Sequence, residues 1–249
     1  MHTTQPWLRL ATAAGTLAFA GALCAPARAA EVFVSPVRAE LRGATLSETI
    51  TVTNRGSSRI RVGVKLMEWT QDAQGNDVYK DTGDLVYFPR QLDLDPEGKR
   101  QIRVGATAPA GATERTYRLF IEELPDPSAT PAPAQVMVYF RMGVPVFLPP
   151  SQARPQPEIG EPALEHGKLL IPVKNTGNEH FRLVRLKVED GAGFSQEIPG
   201  WYSLAGAQKT YSLELPRDVC RKAKTLSIAI EGEGIRADRK LHVDPARCT

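Results

Sequence analysis

The stretch Gln135-Val136-Met137-Val138-Tyr139-Phe140-Arg141-Met142-Gly143-Val144-Pro145-Val146-Phe147-Leu148 decides the fold class. Val136, Val138, Phe140, Met142, Val144, Val146 and Leu148 take every second position. Side chains along a β-strand alternate between faces, so one face is apolar throughout. The other face, with Met137, Tyr139, Arg141, Gly143, Pro145 and Phe147, is mixed, as expected of a strand that lies on a core with one side only. Two readings fit. One is a core strand of a β-sandwich. The other is an edge strand with spare apolar length that pairs with another protein. Pro145 suits an edge, because proline has no N–H to give to a ladder.

Working outward, the chain from Glu31 onward is a run of short alternating segments punctuated by Gly, Pro, Asn and Ser, which predicts an all-β protein. Strands are expected over 32–41, 46–53, 59–69, 84–88, 100–105, 116–124 and 135–148, a density typical of an immunoglobulin-like sandwich. The Pro/Ala-rich segment 125–134 before the last of these predicts a loop. Residues 149–157 (PPSQARPQP) hold four prolines in nine positions and predict a stiff linker. A second β pattern follows, with strands over 168–174, 180–189, 208–215, 225–231 and 235–243. Val173-Lys174-Asn175-Thr176-Gly177 then Phe181-Arg182-Leu183 echoes Val52-Thr53-Asn54-Arg55-Gly56 then Ile60-Arg61-Val62 at an offset of 121 residues. That repeat supports two related domains. The expected organisation is therefore two immunoglobulin-like β-sandwiches, 30–148 and 158–249, joined by the linker.

Residues 1–29 have the form of a secretory signal: Arg9, a mostly apolar run over 10–23, and Ala27-Arg28-Ala29 as a small-x-small cleavage site. The apolar run is shorter than the roughly twenty residues needed to span a bilayer. Cys24 follows Leu23, which is larger than the residue a lipid-attachment site takes. Cleavage after Ala29 removes two arginines and no acid from 31 basic and 28 acidic residues, leaving a net charge of +1, so no nucleic acid or anionic membrane is indicated as a target. Only Cys220 and Cys248 then remain. In an exported protein two cysteines are expected to pair, free thiols being the alternative. His166, His180 and His242 stand apart from any Ser, Cys or carboxylate set of catalytic spacing and read as solvated or turn residues. Trp69 and Trp201 read as core or rim aromatics. No phosphate loop, metal-ligand cluster or nucleophile elbow is present in the sequence, so neither catalysis nor a cofactor is indicated.

Several motifs add up to a resemblance. Ser35-Pro36-Val37-Arg38, Thr51-Val52-Thr53-Asn54, Leu94-Asp95-Pro96-Glu97-Gly98 before Gln101-Ile102-Arg103-Val104, Tyr117-Arg118-Leu119-Phe120-Ile121-Glu122-Glu123-Leu124-Pro125, and the strand ending in Pro145-Val146-Phe147 together resemble the periplasmic PapD-like pilus-assembly chaperones of the chaperone-usher pathway. The likeness covers residues 31–150 well and is nearest in form to the archaic branch. It implies a chaperone that binds strand-deficient pilus subunits by lending them an edge strand, without ATP, and delivers them to an outer-membrane usher. A self-capped homo-oligomer when free is a further implication. Val136, Val138, Phe140 and Met142, with Val144 on the same face, would be the lent side chains. The resemblance also implies a carboxylate anchor of one arginine and one lysine. Arg38 matches the arginine, but Pro145 stands where the lysine is expected, which leaves Arg90, Arg103 and Arg141 as substitutes. The competing class is a two-domain periplasmic or cell-surface binding module that engages a ligand with loops.

Overall fold

The computed structural model describes residues 31–42, 46–107, 109–125 and 138–248. The signal segment, most of the 125–134 loop, and Val136 therefore lie outside the described residues. The N-terminal sandwich contains β1 (Val32–Ser35), β2 (Ala39–Glu40), β3 (Ser47–Asn54), β4 (Ile60–Gln71), β5 (Asp77–Asp81), β6 (Leu85–Phe88), β7 (Gln91–Leu94), β8 (Lys99–Ala106), β9 (Arg115–Leu124) and β10 (Arg141–Leu148). One sheet has the order β1-β3-β8-β6. The other runs β2-β10-β9-β4-β5, with β7 also on β4.

Alternation explains how these strands close on each other. Ile60, Val62, Val64 and Leu66 of β4 are buried and Arg61 and Lys65 exposed, so the even-numbered side faces the core. Ile50, Val52, Ile102 and Val104 answer from the opposite sheet, all at 0% exposure. Trp69 and Phe147 break this pattern. They are odd-numbered and point away from the N-terminal core, yet neither is exposed, because Tyr202 and Leu204 of the second sandwich cover them.

The C-terminal sandwich contains β11 (Pro157–Ile159), β12 (Ala163–Glu165), β13 (Lys168–Asn175), β14 (Phe181–Glu189), β15 (Ser195–Pro199), β16 (Tyr202–Ser203), β17 (Gln208–Glu214), the helix α1 (Arg217–Lys222), β18 (Thr225–Gly232) and β19 (Ile235–His242), then a 3-10 turn over Pro245–Cys248. Its sheets are β11-β13-β12 with β17 on β13, and β15-β14-β18-β19 with β16 on β14. Cys220 and Cys248 are bonded, S–S 2.00 Å, and tie α1 to the 3-10 turn.

Three local expectations differ from what forms. The strand expected over 32–41 is two strands, because the chain crosses from one sheet to the other between Ser35 and Ala39: β1 pairs with β3 and β2 pairs with β10. The linker is shorter than 149–157, since Pro157 opens β11 opposite Asn175; a first strand position tolerates proline. The strands β5 and β7 and the helix α1 gave no periodic signal, being only four to six residues long.

Candidate functional site

Strand β10 runs antiparallel to β9 from Arg141 opposite Glu122 to Leu148 opposite Arg115. On its other side β2 covers only Val146 and Phe147, in a parallel pairing, so Arg141 to Pro145 have no strand beside them among the described residues. Backbone alternation defines what that side offers. The Phe140 carbonyl points inward to accept from Glu123 N–H, and the Phe147 carbonyl points outward to accept from Leu41 N–H. The carbonyls of Arg141, Gly143 and Pro145 therefore face outward like that of Phe147. Pro145 brings no donor to this edge.

Of the strand expected over 135–148, β10 forms only from Arg141, and 138–140 precede it without being strand; the apolar face changes character along this stretch. Val144, Val146 and Leu148 are sealed in the N-terminal core at 0–1% exposure, Met142 and Phe140 are half-buried against its end, and Val138 is 68% exposed. Val144 is thus corrected as a side chain available to a partner: it lies between the sheets and cannot be presented without opening the sandwich. Val138, Phe140 and Met142, toward and before the start of β10, are the expected side chains that are not sealed in the core.

The outward face of the same sheet meets the second sandwich. Phe147 stacks on His180, centroids 3.8 Å apart and planes at 11°, while Trp69 meets Tyr202 edge-on at 5.4 Å. Glu114, with no exposed side-chain surface, lies 2.8 Å from His180 Nδ1 and accepts its backbone N–H. His180 is therefore a partly buried joint residue and not the solvated or turn histidine its isolation in sequence suggests.

The four arginines singled out as carboxylate anchors fall in different places. Arg38 directly precedes β2 and turns to the second sandwich, donating Nη1 to Glu233 Oε2 at 2.8 Å, with Glu40 3.6 Å away. That hydrogen bond and the adjoining negative charge hold the Arg38 guanidinium above its ordinary pKa, against the opposing effect of burial. Hydrogen bonds from Arg38 and Arg182 hold the Glu233 carboxyl below the usual range. Arg141 sits on the outward face, over the Phe120 ring at 4.2 Å and 2.6 Å from Glu122. Arg103 is on β8, in the other sheet, beside Phe88 and Ser47. Arg90 leads into β7 and lies over Tyr87. Neither of these two is brought to Arg38.

Sequence reasoning passed over Arg118. It stands opposite Pro145 in the β9–β10 ladder and is 5% exposed. The only signal was a charged residue set in the apolar run Tyr117-Arg118-Leu119-Phe120-Ile121. Its side chain crosses Gly143, where an added Cβ would stand 3.0 Å from Arg118 Cδ, and Nη1 donates to the Gly143 carbonyl at 3.2 Å.

Comparison with known proteins follows this geometry. Residues 31–154 match the family described as pili and flagellar-assembly chaperone, PapD N-terminal domain. No curated protein matches the chain. Among solved structures, a chain of the CsuC–CsuE chaperone–tip adhesion subunit pre-assembly complex from archaic chaperone-usher Csu pili of Acinetobacter baumannii is 16% identical, with a TM-score of 0.61 over 84% of this chain and 97% of that one. The YadV chaperone is 13% identical, with a TM-score of 0.58 over 85% and 98%. The Pseudomonas aeruginosa CupB2 chaperone is 14% identical, with a TM-score of 0.55 over 85% and 100%. At such identities the likeness is one of fold. With its N-terminal sandwich matched by the family model, the chain belongs to the PapD-like pilus-assembly chaperones.

Proposed function

We propose that the protein is a periplasmic chaperone that holds strand-deficient pilus subunits on the edge of β10 and passes them to an outer-membrane usher. The observation that carries this reading is the edge itself: Arg141 to Pro145 pair with β9 on one side and with no described strand on the other, and the chain continues back to a half-buried Phe140 and an exposed Val138. Addition of a strand supplies generic affinity through main-chain hydrogen bonds and selectivity through alternate side chains. Burying Val138 and the rest of Phe140 would contribute roughly 1.5 to 3 kcal/mol each at most, before ordering costs. No ATP is needed for such an exchange. Export by residues 1–29 would deliver the chain to the compartment where the Cys220–Cys248 bond persists. Arg38, at the mouth between the sandwiches, is the anchor for a subunit carboxylate.

Co-expression with candidate subunits and pull-down tests the reading. Val138→Asp combined with Phe140→Asp should abolish recovery of the subunit, with circular dichroism confirming that the chaperone still folds. Unchanged subunit recovery by the folded double variant would overturn it.

A further inference from the structure

Strand β6 is a second open edge, in the sheet that does not contain β10. It ends the order β1-β3-β8-β6, with β8 on one side and no described strand on the other. Thr107 N–H donates to the Asp84 carbonyl at 3.3 Å, so by alternation Val86 and Phe88 also turn their backbone groups to β8, while Leu85 and Tyr87 turn theirs to the open side. The side chains divide by face. Leu85 is 4% exposed and Tyr87 packs at the margin of the core, whereas Val86 and Phe88 stand outward at 60% and 76% exposure. Phe88 is the most exposed of the large apolar side chains among the described residues. The flank is open to a bulky partner. β7 covers β4 over 60–63 and β5 covers it over 67–71, which leaves a cleft of about 430 Å³ beside β6, lined in part by Lys65, Leu66, Tyr87 and Arg90.

The charges around this edge say which partner fits. Asp81 and Asp84 lie before the strand, Arg90 lies after it, and Arg103 stands beside Phe88 at that same end. Lys65 Nζ is 2.9 Å from Asp81 and the Tyr117 hydroxyl donates to Asp84, yet the two acidic side chains keep 81% and 48% exposure. The segment Asp84-Leu85-Val86-Tyr87-Phe88-Pro89-Arg90 is thus self-complementary about Tyr87. Set against a reversed copy of itself, acid meets base at both ends and Val86 meets Phe88 on both sides of the centre. A two-fold interface has this form, with residue i meeting j and j meeting i.

We infer that the β6 edges of two copies of this chain pair antiparallel about a two-fold axis at Tyr87, joining their sheets into one. In this register the two Tyr87 residues exchange both main-chain hydrogen bonds, and Val86 lies opposite the partner's Phe88 in the closer, non-hydrogen-bonded kind of pair. The exposed apolar side chains of both edges are covered together. The acidic start of each strand lies along the basic end of the other, whereas a parallel pairing would set like charges side by side. Both β10 edges stay open, because β10 belongs to the other sheet and is separated from β4 by β9. The pairing is therefore independent of the edge-binding reading above, and where that reading holds it gives a particle with two client edges. One short strand and its flanks make a small interface, so the dimer is weak and forms with concentration.

Sedimentation velocity of the full mature chain tests this, with a monomer-to-dimer midpoint expected between roughly 10 μM and 1 mM. Phe88→Asp, at a position too exposed to endanger the fold, should weaken the dimer at least about 30-fold. A second measurement does not depend on that variant. Tyr87→Cys should cross-link two copies under mild oxidation, because the paired Cα atoms stand about 5.5 Å apart across the axis. Gln101→Cys, exposed on the neighbouring strand β8, should not. A wild-type chain that stays monomeric to about 1 mM overturns the inference. So does a dimer that Phe88→Asp leaves intact, or one that Val138→Asp dissolves instead, which would place the contact on the β10 side. Failure of Tyr87→Cys to cross-link overturns the two-fold at Tyr87 on which the inference stands.

Discussion

The carboxylate of Glu114 grips His180 twice, accepting its backbone N–H at 2.9 Å and approaching Nδ1 to 2.8 Å, with its own side chain wholly shielded from solvent. Glu114 belongs to the loop before β9 and His180 to the turn before β14, so this contact bridges the two sandwiches. Removing the carboxylate orphans two donors. Glu114→Ala should cost about 2 to 3 kcal/mol in urea unfolding. A double-mutant cycle with His180→Ala should give a coupling above about 1 kcal/mol; purely additive effects would show that the clasp is geometric only.

Asn54 and Asn175 do the same work in the two domains. Each is at 0% exposure and ends a strand. Asn54 Nδ2 donates to the carbonyls of Ser58 and Leu94, and Asn175 Nδ2 to those of Glu179 and Ser203. Each Oδ1 accepts from the glycine two residues on, at 2.9 Å. Asn54→Ala and Asn175→Ala should therefore destabilise by similar amounts, about 2 kcal/mol or more, since in both cases two backbone carbonyls lose a side-chain donor. A difference of several-fold in chemical denaturation would break the equivalence.

This pair shows what could be read from sequence. The Asn-x-Gly turn and its 121-residue repeat are local patterns, visible because turn chemistry and strand period act within a few residues. Arg118 is the opposite case. Its significance comes from standing across a ladder from Pro145 and over Gly143, and register between strands is not written in either strand alone. The same holds for Val144, whose alternation looked identical to that of Val138. Where the core stops along β10 depends on how far the facing sheet extends.

That difference along one strand is measurable. Val144→Asp buries an unpaired charge and should destabilise by more than about 3 kcal/mol or prevent folding. Val138→Asp, at a position 68% exposed, should shift stability by no more than about 0.5 kcal/mol. Thermal melts of both variants decide it, and equal losses would mean that Val138 is packed in solution.

The Arg38–Glu233 bridge predicts a modest acid sensitivity. Glu233 is held below its ordinary pKa by Arg38 and Arg182, so its contribution is fully present above the unfolded value of about 4.3 and is lost as pH falls through the lower folded value. Both partners are partly solvated, with side-chain exposures of 37% and 44%, which limits the effect to about 1 kcal/mol or less. Glu233→Gln should flatten stability against pH below about 4.5 and leave the profile from pH 5 to 7 parallel to wild type. An unchanged acid limb in the variant would assign that sensitivity to other carboxylates.

Strand β2 is only two residues long, yet its seat against Val146 and Phe147 closes that end of the β10 edge like a doorstop. If a guest strand pairs with the open side of β10 as proposed, β2 would stop it at Val146, so its residues would be counted off from a wall built into the host. Alignment set by such a wall would let one host hold segments of unlike sequence in a common frame.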